Sequence, residues 1–188
     1  MFDPTKLDEA LSVLGELLFE RQHRFEVVAI GGGGLQLLGV IDRPTSDLDL
    51  VALLEGDKLI RVGLSLPPAL AEAVADVARV LNLASNWING GPTALLDLGL
   101  PNGFVDRLER RTYGGLQLRL ASRFDQIHLK LYAAADDIPA GKHHVDLRKL
   151  RPNREELLAA AHWAKTHDAS EGFAMLLADV LRDFGVEE

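Results

Sequence analysis

The sequence predicts an α/β (α+β) fold, with a mixed sheet and flanking helices over residues 1–121 and a helical C-terminal half over residues 122–188. Three observations predict it. Short β-rich apolar runs, Phe25-Glu26-Val27-Val28-Ala29-Ile30 and Leu48-Asp49-Leu50-Val51 among them, fall in the first two thirds of the chain. Segments with apolar residues three and four apart alternate with these runs. Beyond Ser122 the apolar pattern has helical period throughout.

Leu7, Leu11, Leu14 and Leu18, with Leu17 beside them, define an opening amphipathic helix. The run Phe25 to Ile30 stops abruptly at glycine, as a buried strand does where it reaches the edge of a sheet. Gly31 to Gly34 then begin a loop, and Leu35, Leu37 and Leu38 mark a short helix. In Asp47-Leu48-Asp49-Leu50 the alternation is strict, so the leucines face a core and both aspartates face the other way. Pro67-Pro68 turns the chain into an alanine- and valine-rich helix from Ala69 to Leu81. A short strand follows around Ser85-Asn86-Trp87-Ile88-Asn89, then an irregular stretch holding Gly90-Gly91-Pro92 and Pro101-Asn102-Gly103, then the strand Leu116 to Leu120. Ser122 and Asp125 form a capping box for the helix that carries Lys130. His144 to Leu150, Arg154 to Thr166 and Glu171 to Phe184 complete the helices. No internal repeat or low-complexity segment interrupts them.

Composition narrows the function classes. With 188 residues, 47% hydrophobic and 26% charged, the chain is an ordinary globular protein able to bury one substantial core. It has no cysteine, which excludes disulfides and Cys-based zinc sites. Residues 1–6 lack a basic stretch followed by an apolar one, and no run is long enough to span a bilayer, so the expectation is a cytoplasmic protein without a membrane partner. The net charge of −8 argues against a generally basic nucleic-acid binder. The charge is uneven, however: residues 101–154 hold 11 Lys/Arg against 6 Asp/Glu. Arg107, Arg110, Arg111, Arg119 and Arg123 either attract RNA or triphosphate or pair with Glu109, Asp106 and Asp125 on the surface.

The chemistry-bearing segment runs from Gly31 to Val51. Successive glycines allow several N–H groups to converge on one anion, and a following helix adds its dipole. Asp47 and Asp49 lie on one strand face, about 6.6 Å apart along the strand. Like charges that close repel unless a cation sits between them or one is protonated. Oxygen ligands on a rigid strand suit Mg²⁺ or Mn²⁺ that also coordinates a polyphosphate. Other chemistries fit less well. His143-His144 lacks the spacing that puts two imidazoles on one helix face, and His128 and His162 read as structural helix residues. The glycines lack the Gly-Lys-Ser/Thr of a P-loop, and the paired carboxylates come too early for a Rossmann fingerprint.

Val28-Ala29-Ile30-Gly31-Gly32, followed by Gly39, Arg43, Thr45, Asp47 and Asp49, resembles the signature of the DNA polymerase β-type nucleotidyltransferase superfamily. The nearest flavour is the prokaryotic branch that includes the AbiEii-type toxins of toxin–antitoxin pairs and related small proteins. Leu129-Lys130-Leu131 and Val145-Asp146-Leu147 are similar to the downstream Lys and Asp motifs of those proteins, so the resemblance spans residues 25 to 150. It implies a nucleotidyltransferase-like sheet, a helical subdomain and a cleft between them. It also implies a two-metal mechanism in which Mg²⁺ or Mn²⁺ grips the triphosphate and activates a hydroxyl. By position, Asp47 and Asp49 would be the metal ligands. Gly31, Gly32 and Gly33, with Arg43, Thr45 and Ser46, would hold the NTP, Lys130 would neutralise phosphate charge, and Asp146 would orient Lys130 or the nucleotide.

The sequence departs from the family pattern at two points. Many relatives carry serine after the first glycine, where this chain has Gly32. The family also places a third carboxylate on a later strand, where Asn89 offers a neutral amide and Asp97 is the nearest acid. The expected function is therefore transfer of NMP from an NTP to a hydroxyl of RNA, tRNA foremost, or of protein. A toxin role, with a cognate antitoxin as partner, follows from the resemblance alone. The alternatives are an inactive binding or antitoxin-like module of the same fold, and an NTP sensor.

Overall fold

A computed structural model describes residues 1–63, 65–137 and 141–187. The fold is mixed α/β, as the apolar periods predict, with a six-stranded mixed sheet and a helical C-terminal portion. The chain divides into two units, one of residues 1–100 and 105–121 and one of residues 101–104 and 122–188.

In the first unit, helix α1 (Pro4–Glu20) starts at Asp3, whose carboxylate accepts from the Lys6 N–H at 2.9 Å, with Pro4 in the first turn. Its apolar stripe, Leu7, Leu11, Leu14 and Leu18, is fully buried. Strand β1 (Phe25–Ile30) leads into helix α2 (Gly31–Leu37). The glycines are thus the first turns of a helix and not a loop, a correction to the sequence expectation. Intrinsic propensity disfavours glycine in a helix, but tertiary contacts described below crowd a side chain at Gly31, Gly32 and Gly33.

Strands β2 (Leu48–Glu55) and β3 (Lys58–Ile60) form a hairpin. Helix α3 (Pro68–Val80), strand β4 (Ile88–Asn89), the short helix α4 (Leu95–Leu98) and the hairpin of β5 (Glu109–Tyr113) and β6 (Leu116–Leu120) follow. The sheet order is β3-β2-β1-β6-β5, with β4 added to β2. β1 sits at its centre, antiparallel to β2 and parallel to β6, which explains why Val27, Val28, Ala29 and Ile30 are buried on both faces. Trp87 is fully buried beside Phe2 and donates its indole N–H to the Val74 carbonyl at 3.0 Å. Gly15 lets α1 lie against the β5–β6 turn, since a Cβ there would fall 1.8 Å from the Tyr113 carbonyl oxygen.

The second unit is built on helix α5 (Arg123–Ala135), against which α6 (Lys142–Leu150), α7 (Arg154–His167) and α8 (Glu171–Asp183) pack. Ser122, Asn153 and Ser170 cap α5, α7 and α8 with side-chain oxygens, and Asn153 with Glu156 forms a full capping box. Tyr132 makes ring contacts with Trp163, His167 and Phe173, and Trp163 also contacts His167. Among the described residues no helix is long and apolar enough to cross a membrane.

Candidate functional site

The two aspartates stand where β2 begins. Leu48 and Leu50 are buried, while Asp47 and Asp49 are half-buried on the opposite face, so the alternation does separate core from site. β2 is fixed there from both sides. Its Asp49 is in register with Ile30 at the end of β1 and with Asn89 of β4. The Leu48 N–H also donates to the Trp87 carbonyl at 2.7 Å.

That pairing brings Asn89 to the carboxylates. Its Nδ2 donates to Asp49 Oδ1 at 3.2 Å and, at the longer distance of 3.5 Å, to Asp47 Oδ2. The Asn89 Oδ1 accepts from the Gly91 N–H at 2.9 Å. Asn89 thus stands directly beside both aspartates. Asp97, the other candidate, lies on α4, largely exposed, and pairs with Arg61.

The glycines are required by the segment that faces them. Gly31 has φ +74°, and a Cβ there would lie 2.8 Å from Asp49 Oδ2. A Cβ at Gly32 would lie 3.0 Å from Thr45 Oγ1 and 3.3 Å from the Arg43 guanidinium, and one at Gly33 would lie 2.8 Å from the Asp47 carbonyl oxygen. Gly31, Gly32 and Gly33 therefore do gather against Arg43, Thr45, Asp47 and Asp49. Ser46 Oγ donates to Asp47 Oδ1 at 2.9 Å, and Thr45 Oγ1 donates to the Asp47 carbonyl at 3.3 Å.

One residue that the sequence reading passed over holds this segment. Gln36 is 2% exposed, and its Nε2 donates to the carbonyls of Arg43 at 2.7 Å and Phe2 at 3.1 Å. Phe2 and Thr45 pair their backbones beside it. The signal was a polar residue inside Leu35-Gln36-Leu37-Leu38.

Lys130 and Asp146 belong to the helical unit and pair with each other, Lys130 Nζ to Asp146 Oδ2 at 2.8 Å, with both residues buried. The expected link between the two is thus a direct ion pair. His143 lies close by. Burial, aided by the Lys130 cation, lowers its pKa to about 4, and its Nδ1 is buried without a hydrogen-bond partner. His128 is buried, its Nδ1 2.9 Å from the Phe124 carbonyl, whereas His162 is exposed, correcting its reading as a packed residue.

Arg111, Arg119 and Arg123 have partners far from them in sequence. Arg119 pairs with Glu26 at 2.5 Å, Arg111 reaches Asp8 at 4.0 Å and the Leu37 carbonyl, and Arg123 pairs with Glu156 at 2.5 Å. Cross-strand and interhelical neighbours supply those acids, which sequence proximity does not reveal.

Among the described residues no three His, Cys, Asp or Glu side chains gather as a metal-ligating group. Two carboxylates are nevertheless a sufficient protein contribution for Mg²⁺ that takes its remaining oxygens from phosphate and water. The donor set of Asp47 and Asp49 fits such an ion. Set beside known proteins, the chain matches no family model, no curated protein and no solved structure.

Proposed function

We propose that this chain binds a nucleoside triphosphate as its Mg²⁺ or Mn²⁺ complex and transfers the nucleoside monophosphate to a hydroxyl of RNA, with tRNA foremost, or of protein. One observation carries the reading: Asp47 and Asp49 present carboxylates side by side, directly against glycines that leave no side chain between them and the start of α2. A bound divalent ion would supply charge neutralisation on the phosphates. Asp47 and Asp49 would hold it, the Gly31–Gly33 backbone would admit the phosphates at close range, and Arg43 would add positive charge at Gly32. Asp49 is fixed by the sheet on both sides, so its placement costs little reorganisation. Lys130 is assigned to phosphate neutralisation and Asp146 to orienting it, as the sequence resemblance implies. A place in a toxin–antitoxin pair rests on that resemblance alone.

A second reading is favoured by Asn89, whose amide stands where a third carboxylate would complete a two-metal site. On that reading the chain binds metal–NTP as a sensor, or is an inactive binding or antitoxin-like module. Incubation with each α-labelled NTP, Mg²⁺ or Mn²⁺, and total cellular RNA and protein separates the readings. The transferase labels an acceptor and an Asp47→Ala/Asp49→Ala variant does not. Metal-dependent NTP binding without label supports the sensor. Absence of both binding and transfer removes the site from consideration.

A further inference from the structure

We propose that Asn89 is a positioning residue that holds Asp47 and Asp49 together in the absence of a cation and restricts them to a single divalent ion. The inference rests on the reading of these aspartates as metal ligands and names the form of substrate they take, a triphosphate carrying one ion.

The orientation of the Asn89 amide is dictated by its neighbours. The Gly91 backbone N–H can only donate, and it lies 2.9 Å from one end of the amide, so that end is the carbonyl oxygen. The –NH₂ end consequently faces Asp49 Oδ1 at 3.2 Å and Asp47 Oδ2 at 3.5 Å. A flipped amide would set its nitrogen against the Gly91 donor and its oxygen against two carboxylates, losing every one of these bonds. Position is fixed as firmly as orientation, because Asn89 is the residue of β4 paired with Asp49. Gly91 completes the arrangement, since a Cβ there would fall 2.9 Å from Asn89 Oδ1.

Two consequences follow from an N–H at this place. Partial positive charge between two carboxylates offsets their repulsion, the task a cation would otherwise perform. An amide nitrogen with its hydrogens is also no metal ligand, so of these three side chains only the aspartates offer oxygens to an ion. A second divalent ion would bring two more positive charges, and among the described residues no third acidic side chain gathers with these two to meet them.

The test uses the full chain, its Asn89→Asp and Asn89→Leu variants, and an Asp47→Ala/Asp49→Ala control. Unfolding temperature is measured near neutral pH in chelator, and bound Mn²⁺ is counted by electron paramagnetic resonance with a non-hydrolysable analogue of each NTP. In chelator both Asn89 variants unfold about 2–6 °C below wild type, Asn89→Asp the lower of the two. Wild type binds one Mn²⁺ per chain, and Asn89→Asp binds two or holds one roughly tenfold tighter. Equal unfolding temperatures for all three proteins, or two ions on the wild type, overturn the inference and leave the aspartates as metal ligands. A wild type that binds no Mn²⁺ overturns both. Should Asn89→Asp fail to fold in chelator, refolding it with Mn²⁺ supports the inference, and failure to refold there, with Asn89→Leu as stable as wild type, counts against it.

Discussion

Replacing Asp146 by alanine removes the anion from a pair in which Lys130 is 5% exposed and Asp146 is 0% exposed. At the 2.8 Å separation of Lys130 Nζ and Asp146 Oδ2, attraction in an effective dielectric of about 20 is about 6 kcal/mol, most of it offsetting the desolvation of the two charges. Losing one partner leaves the desolvation of the other uncompensated, which costs about 3–5 kcal/mol. That is a large share of the about 5–15 kcal/mol that holds a domain folded. For a chain of this length it corresponds to a fall in unfolding temperature of about 10 °C. The Lys130→Met/Asp146→Leu double variant keeps the volume and removes both charges, so it returns to within about 1 kcal/mol of wild type. Urea and thermal unfolding of the two single variants and the double variant, taken as a double-mutant cycle, measure the coupling. An Asp146→Ala protein that unfolds within about 1 °C of wild type refutes the reasoning, because it would mean that the lysine regains water at little cost.

Gly31→Ala and Gly39→Ala form a matched pair, because both positions have positive φ but only Gly31 faces Asp49, with open space around Gly39. Each loses about 1 kcal/mol or more to backbone strain; Gly31→Ala loses more in unfolding titrations and alone weakens Mn²⁺ binding. His143, held to about pKa 4 by burial and then by Lys130, stays neutral while the unfolded chain takes up its proton near 6.5, so its contribution to stability is lost as pH falls from about 6.5 to 4. His143→Gln flattens that limb of the stability profile, and the His143 imidazole resonances of the wild type show no titration above pH of about 5. Tyr113, raised to about 12 by burial and then by its bond to the Asp8 carboxylate, and Tyr132, also raised by burial, both titrate above the ordinary value of about 10 in ultraviolet absorbance. Tyrosinate appearing at that ordinary value in the folded protein contradicts the packing of both.

Local periodicity was enough for elements whose burial is one-sided or complete. The strands Phe25–Ile30 and Leu116–Leu120 carry their own apolar signal, and α1, α3, α5, α7 and α8 follow from residues three and four apart, with a cap at Ser122 for α5. β3 and β5 were not legible for the same reason. Lys58–Ile60 is too short to show a period, and Glu109–Tyr113 is a charged, largely exposed edge strand whose existence depends on pairing with β6.

At the candidate site, strand alternation alone put Asp47 and Asp49 on one face, because side-chain direction in a strand depends only on residue parity. Which residue would stand beside them did not follow from the sequence. Asp97 is the nearest acid in sequence and Asn89 a neutral amide, and only the pairing of β4 with β2 set Asn89 against Asp49, while Asp97 lies on α4 paired with Arg61. The glycines, too, were legible as backbone that needs freedom, but their reason is the passage of Arg43, Thr45 and Asp47 over α2, anchored by Gln36. By itself the sequence determined where the apolar strands β1, β2 and β6 and most of the longer helices lie and which side their residues take, since those depend on neighbours along the chain. Partners across the fold, Asn89 for the aspartates, Asp146 for Lys130 and Glu26 for Arg119, were decided only by tertiary structure, because contacts between residues far apart in sequence are set by how whole elements pack.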